Sequence, residues 1–357
     1  MMALYRARYQ IRKYIRFLIL FFWGCAFLSV PAFANNDEEV LSGEGMRFGR
    51  LVDGQYTLTT SVNGVGPLVF MVDTGASRTS IFESTRRRLG IEKHATVRKN
   101  VSGMTRSEIR PVVHLDSLKF AGQEITNHVA IVLDDWYGPV ESKDLVDGIL
   151  GMDVLAGLVL SFEHETDKRR NVDHKTGKIS ILKSGHLRAR KYRRWTKIKL
   201  IANPYPDAEF GLIFTNTLIG GLHIPTLFDT GASFTAISWD IVESTKLGKE
   251  KRRLREEWVV QGAVGEFKPR IRVILKELVI GGVALKKHEL LVMNFDNLPL
   301  SHYGKYPLVI TGVDFLGEHD FVLDLDHGRL VLDVKPKKRP NTHFDSIGVF
   351  PSSRLPL

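Results

Sequence analysis

Cysteine is the scarcest residue of this chain, occurring once in 357 residues, as Cys25. It falls in a segment read below as a removable leader, so the rest of the chain has no thiol. That excludes a disulfide framework, a thiolate nucleophile and a cysteine metal site. Long apolar runs are scarce too. One stands out, Phe17 to Val30, and at about fourteen residues it is short for a spanning helix. Metal-ligand spacing is missing: His114, His164, His174 and His302 lie far apart with no paired acid motif, so hydrogen-bonded or exposed histidines are expected. Neither a cofactor nor a metal is expected.

The leader accounts for part of the charge. Arg6, Arg8, Arg12, Lys13 and Arg16 precede the apolar run without an acid, and Pro31 and the small-x-small triplet Ala32-Phe33-Ala34 follow it. That is the pattern of a signal peptide over residues 1–34, cleaved after Ala34. An uncleaved membrane anchor is the alternative. The bulky Phe22-Trp23 before Cys25 argues against a lipid-attachment site. Half of the formal net charge of +10 lies in this segment, leaving +5 for the mature chain. Such a balance gives little reason to expect nucleic-acid binding. The remaining basic runs, such as Arg188 to Lys199 and Lys249 to Arg255, read as solvated surface, with weak contact to an anionic envelope surface as the lesser reading. A cysteine-free exported chain suits a bacterial periplasm or the medium beyond it.

What the chain does have is a repeat. Asp73-Thr74-Gly75-Ala76-Ser77 recurs as Asp229-Thr230-Gly231-Ala232-Ser233, and each copy ends a short apolar run. The likeness extends outward. Upstream, strand-like segments turn at Asn63-Gly64 and at Gly220-Gly221, both hairpin signals. Downstream of each pentapeptide come a stretch able to hold a turn or two of helix, a strand pair turning at Ala121-Gly122 or Gly281-Gly282, and a second landmark. The landmarks are Gly148-Ile149-Leu150-Gly151-Met152-Asp153 and Val309-Ile310-Thr311-Gly312-Val313-Asp314. A further strand pair closes each half. The chain therefore divides into a polar lead (35–47), a first lobe (48–182), a basic linker (183–195), a second lobe (196–334) and a tail (335–357). Asp153 and Asp314 are expected to cap the short helices that follow them.

Two carboxyls brought together can divide acid and base roles that one cannot hold at once. Like charges at short range cannot both ionise easily, so one proton is shared. The ionised member takes a proton from water while the protonated member hydrogen-bonds a carbonyl. Asp73 and Asp229 are the candidates. Gly75 and Gly231 would let the backbone turn sharply and approach the opposite lobe. Thr74 and Thr230 carry hydroxyls able to bond across.

These residues resemble the retropepsin-like aspartic peptidases. The resemblance rests on Asp-Thr-Gly-Ala-Ser after an apolar strand plus the later Ile-Leu-Gly or Ile-Thr-Gly segment, once per half, over roughly Gln55 to Val334. It implies a mostly β, two-lobed acid-protease fold. Each lobe would be a closed β-barrel with a short helix, and the fused pair would work as a monomer with pseudo-twofold symmetry. It implies a peptide or protein substrate, catalytic Asp73 and Asp229, and supporting Thr74, Gly75, Thr230 and Gly231. Two departures stand out. Ala76 and Ala232 occupy the position where pepsins carry a hydroxyl, which predicts a less acidic working range than pepsin's. The plausible flap segments, Val101 to Met104 and Val260 to Ala263, lack the tyrosine of pepsin flaps. The competing readings are a non-catalytic peptide-binding module of the same fold and a carboxylate-pair glycosidase, which needs its two acids about 5 Å or more apart.

Overall fold

Four two-residue turns fold the halves into matching hairpins. Asn63 and Gly64, Ala121 and Gly122, Gly220 and Gly221, and Gly281 and Gly282 all have positive φ. Two consecutive positive φ values make the primed turn whose twist suits paired strands, as the sequence predicts. The computed structural model describes residues 46–50, 54–94, 97–102, 107–135, 146–165, 176–182, 190–202, 211–245, 247, 251–253, 260–262, 264–269, 271–295, 308–316 and 319–334. The leader, most of the lead, residues 183–189 of the linker and the tail lie outside them. So do His174, His302, Gly103, Met104 and Ala263.

The first half contains β1 (Met46–Arg50), β2 (Tyr56–Val62), β3 (Val65–Val72), β4 (Ser80–Phe82), α1 (Glu83–Arg88), β5 (Arg98–Ser102), β6 (Ser107–Phe120), β7 (Gln123–Leu133), β8 (Gly148–Leu150), α2 (Met152–Leu155), β9 (Val159–His164) and β10 (Thr176–Ile181). The second contains β11 (Thr196–Lys199), β12 (Ile201–Ala202), β13 (Ile213–Ile219), β14 (Leu222–Phe228), β15 (Ala236–Ser238), α3 (Trp239–Ser244), β16 (Lys251–Arg253), β17 (Val260–Gln261), β18 (Glu266–Phe267), β19 (Ile271–Ile280), β20 (Val283–Met293), β21 (Val309–Thr311), α4 (Val313–Leu316), β22 (Phe321–Asp324) and β23 (Arg329–Leu332).

The protein is mostly β and two-lobed. In the first lobe β2, β3, β8, β4, β7 and β6 pair in that order, and β6 returns to β2 to close the ring. In the second, β13, β14, β21, β15, β20 and β19 repeat the order, and β19 returns to β13. Closure leaves no free edge within either ring. Alternation fills the inside: Tyr56 and Leu58 of β2, with Leu68, Phe70 and Val72 of β3, are buried.

The closing strand pairs do not stay within their own halves. β22 pairs antiparallel with β9, so the strands run β11-β23-β22-β9-β10-β1 across the join. Phe321 stands opposite Phe162, and their rings stack at 4.4 Å between centroids. Tyr56 packs edge-on against Phe321 and approaches His164, which sits by Asp320 of the other half. The hydrogen-bonded histidine is thus seen for His164. The end of the expected linker is also packed rather than loose. Residues Arg190–Arg194 form a 3₁₀ turn, and Tyr192 and Trp195 are buried with Val159, Val322 and Val331. Two aromatic side chains outweigh the local basic composition there, since each buries a large apolar area.

Candidate active site

Each Asp loop is hung between strands of its own ring. β3 delivers Asp73, whose N–H donates to the Leu150 carbonyl at 3.0 Å, and β14 delivers Asp229, whose N–H donates to Thr311 at 3.0 Å. The loops then return to the start of the short helices: Met152 N–H bonds the Ala76 carbonyl at 2.8 Å, and Val313 N–H bonds Ala232 at 2.9 Å. Gly151 and Gly312 permit this, since a Cβ on either would overlap the backbone at Arg78–Thr79 or Ala232–Phe234. The landmarks therefore lie behind the Asp loops.

The threonines lock the loops together. Thr74 Oγ1 donates to the Phe228 carbonyl at 2.7 Å and accepts from Thr230 N–H at 3.1 Å. Thr230 Oγ1 donates to the Val72 carbonyl at 2.7 Å and accepts from Thr74 N–H at 3.1 Å. Both side chains are buried, so each hydroxyl satisfies two backbone groups that would otherwise be costly to bury.

Gly75 and Gly231 stand in turns that approach the opposite lobe, as expected. Neither has a positive φ. A Cβ on Gly75 would fall inside the Asp229 carboxyl, and one on Gly231 inside that of Asp73. The chain turns at both sites, and what requires glycine there is the opposite carboxyl lying against it.

Asp73 Oδ1 accepts from Gly75 N–H at 2.8 Å and Ala76 N–H at 3.0 Å, and Asp229 Oδ1 accepts from Gly231 N–H at 2.8 Å and Ala232 N–H at 3.1 Å. The two carboxyls face one another across the join, each against the glycine of the opposite loop. Burial pushes Asp73 well above the ordinary aspartate range, and the charge of Asp229 adds to it. Burial raises Asp229 as well, against hydrogen bonds from Asp73 and the loop N–H groups. Such a pair holds one proton between two oxygens.

Asp153 and Asp314 lie inside the short helices rather than at their cap positions, although Asp314 Oδ1 accepts from Phe315 N–H at 3.0 Å. Gly151 occupies the cap position of α2 and makes no side-chain cap. Asp153 sits inside the turn and accepts from Thr79 N–H at 2.8 Å and Thr79 Oγ1 at 2.7 Å; Asp314 does the same for Thr235 at 2.8 and 2.9 Å. Two unpaired donors on the neighbouring strand attract the carboxylate more than the helix end does. Behind each stands a histidine that the sequence reading missed, His128 at 3.3 Å from Asp153 and His288 at 3.0 Å from Asp314. Burial works to raise Asp153, but His128 and Thr79 outweigh it and hold it below the usual range. The available signal was positional: His128 and His288 each stand three residues before the residue that meets β4 or β15.

Both expected flap regions form hairpins. β5 pairs with the start of β6, and β17 pairs with β18. Val264, between β17 and β18, is buried in a first-lobe cluster that includes Met71, Ile149 and, at its margin, Ala76. Among the described residues, one cluster has the composition of a metal site: Asp324, Asp326 and His327. Asp324 already accepts from Arg329 at 3.0 Å and lies by His327 at 3.1 Å, so its charge is matched within the protein.

The sequence model of the family described as aspartyl protease matches residues 58–154 and 215–315, together more than half of the chain. The two matched segments each contain one Asp-Thr-Gly-Ala-Ser loop. No curated protein matches the sequence significantly.

Proposed function

The chain belongs to the aspartyl protease family, and we propose that it is an aspartic endopeptidase that hydrolyses peptide bonds with a water activated between Asp73 and Asp229. The observation that carries the reading is the meeting of two carboxyls at the join of the lobes, each against the other's loop glycine and each raised by burial. The ionised carboxylate takes the proton of the attacking water. The protonated carboxyl donates to the scissile carbonyl oxygen as the carbon becomes tetrahedral. No covalent intermediate forms. Thr74, Gly75, Thr230 and Gly231 hold the pair at this spacing. The substrate is an extended peptide or protein segment bound in the interlobe cleft, where strand-type backbone hydrogen bonds suit a β-walled site. The raised carboxyls and Ala76 and Ala232 support a working range less acidic than pepsin's.

The protein acts as a single chain, exported to the periplasm or beyond through a signal peptide cleaved after Ala34. The basic leader, its short apolar run and the absence of cysteine from the rest of the chain support this. Proteolysis of a peptide library across pH tests the activity. Asp73→Asn and Asp229→Asn are each expected to cost at least about 10³-fold. Cleavage that survives either change removes the assignment, and a wild-type protein that binds peptides without cutting them makes the fold a binding module here.

A further inference from the structure

The Asp loops match closely, and one residue breaks the match. Gln55 precedes β2, is buried to 3% exposure, and reaches across to the second lobe. Its Nε2 donates to Ser233 Oγ at 2.6 Å and approaches the Gly231 carbonyl at 3.5 Å. The carbonyl can only accept, which fixes which end of the amide faces the loop. Its Oε1 is buried without a partner.

Among the described residues the other side shows no such group. In the first lobe Thr57 pairs with Met71, two residues before Asp73; in the second Phe214 pairs with Leu227, two residues before Asp229. Two residues further back stand Gln55 and Leu212. Leu212 is a buried core residue with no polar atom to offer the Asp73 loop.

The contact bears on the carboxylate through one peptide unit. The Gly231 carbonyl that Gln55 approaches belongs to the same amide as the Ala232 N–H, which donates to Asp229 Oδ1 at 3.1 Å. Donation to a carbonyl polarises its amide and strengthens the bond its N–H makes, and low local dielectric enlarges the effect. The bond to Ser233 pins the loop in the position that aims this N–H. The groups acting on Asp229 are otherwise Asp73 and the N–H groups of Gly231, Ala232 and Gly75. Asp229, Gly75 and Ala76 act on Asp73 in the corresponding way, and the Gly75 N–H, which also acts on Asp229, is without a counterpart and works in the same direction as Gln55.

We infer that Gln55 is a positioning residue that breaks the symmetry of the dyad and assigns the ionised, water-activating role to Asp229, leaving the proton on Asp73. The inference rests on the dyad reading proposed above. It makes the two ends of a bound peptide inequivalent at the catalytic centre, although the loops themselves are copies.

Two measurements on the full chain test it. The first is the carboxyl ¹³C spectrum of Asp73 and Asp229 against pH. In the wild type the Asp229 carbon takes the ionised shift first. In Gln55→Leu, which places the second lobe's own residue at this point, the two carbons titrate closer together. The second is the acidic limb of kcat/KM. Gln55→Leu destabilises the anion, so the limb moves to higher pH by about half a unit, a loss of roughly threefold on that limb. Ser233→Ala keeps the Gly231 contact and shifts the limb in the same direction by less; it carries the test if Gln55→Leu does not fold. A merely structural role lowers kcat without moving the limb or the spectrum. An unmoved limb and unchanged carboxyl titrations in folded variants overturn the inference while leaving the peptidase reading intact. A wild-type protein that cuts no peptide but shows the split titration overturns the peptidase reading and supports the inference.

Discussion

The two Asp loops are alike near the carboxyls and unlike further away. Most of what surrounds the dyad is doubled: the Thr74 and Thr230 interlock, the two pairs of loop N–H donors and, behind them, the Asp-Thr braces at Thr79 and Thr235. One shell out, the halves part. Gln55 faces Leu212, and the buried Asp147 that precedes β8 faces Leu308 before β21. A shared proton needs two carboxyls at one spacing, so the groups that set that spacing are held to one solution in both lobes. Groups that only support a lobe can differ, and a difference there tilts the pair without spoiling it.

The comparison is tested most severely at Gly75 and Gly231. Each glycine leaves room for the other lobe's carboxyl, so Gly75→Ala and Gly231→Ala should be equally harmful. A displacement of about 1 Å in a reacting group can cost 10²-fold, and a loss of at least that size in kcat is expected for both. A harmless alanine at either position breaks the claim that these sites are small for the opposite carboxyl.

The interlock comes next. Thr74→Val and Thr230→Val each leave a buried N–H and a buried carbonyl unpaired, at about 1–3 kcal/mol per group. Each should therefore lower unfolding stability by about 2–6 kcal/mol in urea titrations, and the two losses should agree within about 1 kcal/mol. Unequal losses would show that one threonine carries the join alone.

Much of this shell was legible in the sequence because duplication acts as an internal control. Asp-Thr-Gly alone reads as a turn, but two copies before equivalent landmarks mark Asp73 and Asp229, with the threonines beside them, as one pair from two matching lobes. The misses have one physical character. The role of Asp153 depends on Thr79 being presented by β4 with two free donors, and that of His128 on the pairing of β7 with β6. Tyr192 and Trp195 sat in a run read as basic linker because the sheet they cover is assembled from both halves. Gln55 was invisible for the opposite reason: it has no repeat partner, and a pattern built on repetition cannot flag the residue that breaks it.

A smaller effect is expected where the lobes already differ. Asp147 accepts from Val69 N–H at 2.7 Å and Thr85 Oγ1 at 3.2 Å, and it pairs with Arg88. Asp147→Leu imitates the second lobe but not its surroundings, where Ser238 Oγ accepts from Leu308 N–H at 3.2 Å. A loss of about 1–2 kcal/mol is expected from the orphaned Val69 N–H and Thr85 hydroxyl. No loss would mean that the first lobe tolerates the simpler solution and that the acid serves something other than stability.

The smallest effect separates the two aspartates by stability rather than by rate. Both carboxyls are raised in the folded protein, chiefly by burial. A raised carboxyl binds its proton more tightly folded than unfolded. Its cost is therefore absent below the unfolded value of about 3.9 and grows as pH rises through the folded value. Replacing one aspartate by asparagine removes the like charge and should raise the melting temperature at neutral pH, on the order of 2 °C, with the gain vanishing toward pH 3. The gains should not be equal. Asp73→Asn leaves Asp229, whose loop amide is supported by Gln55, whereas Asp229→Asn leaves Asp73 without that support. The first variant should gain more, and adding Gln55→Leu should bring the two together. Equal gains with Gln55 in place would mean that the dyad is as symmetric as its sequence.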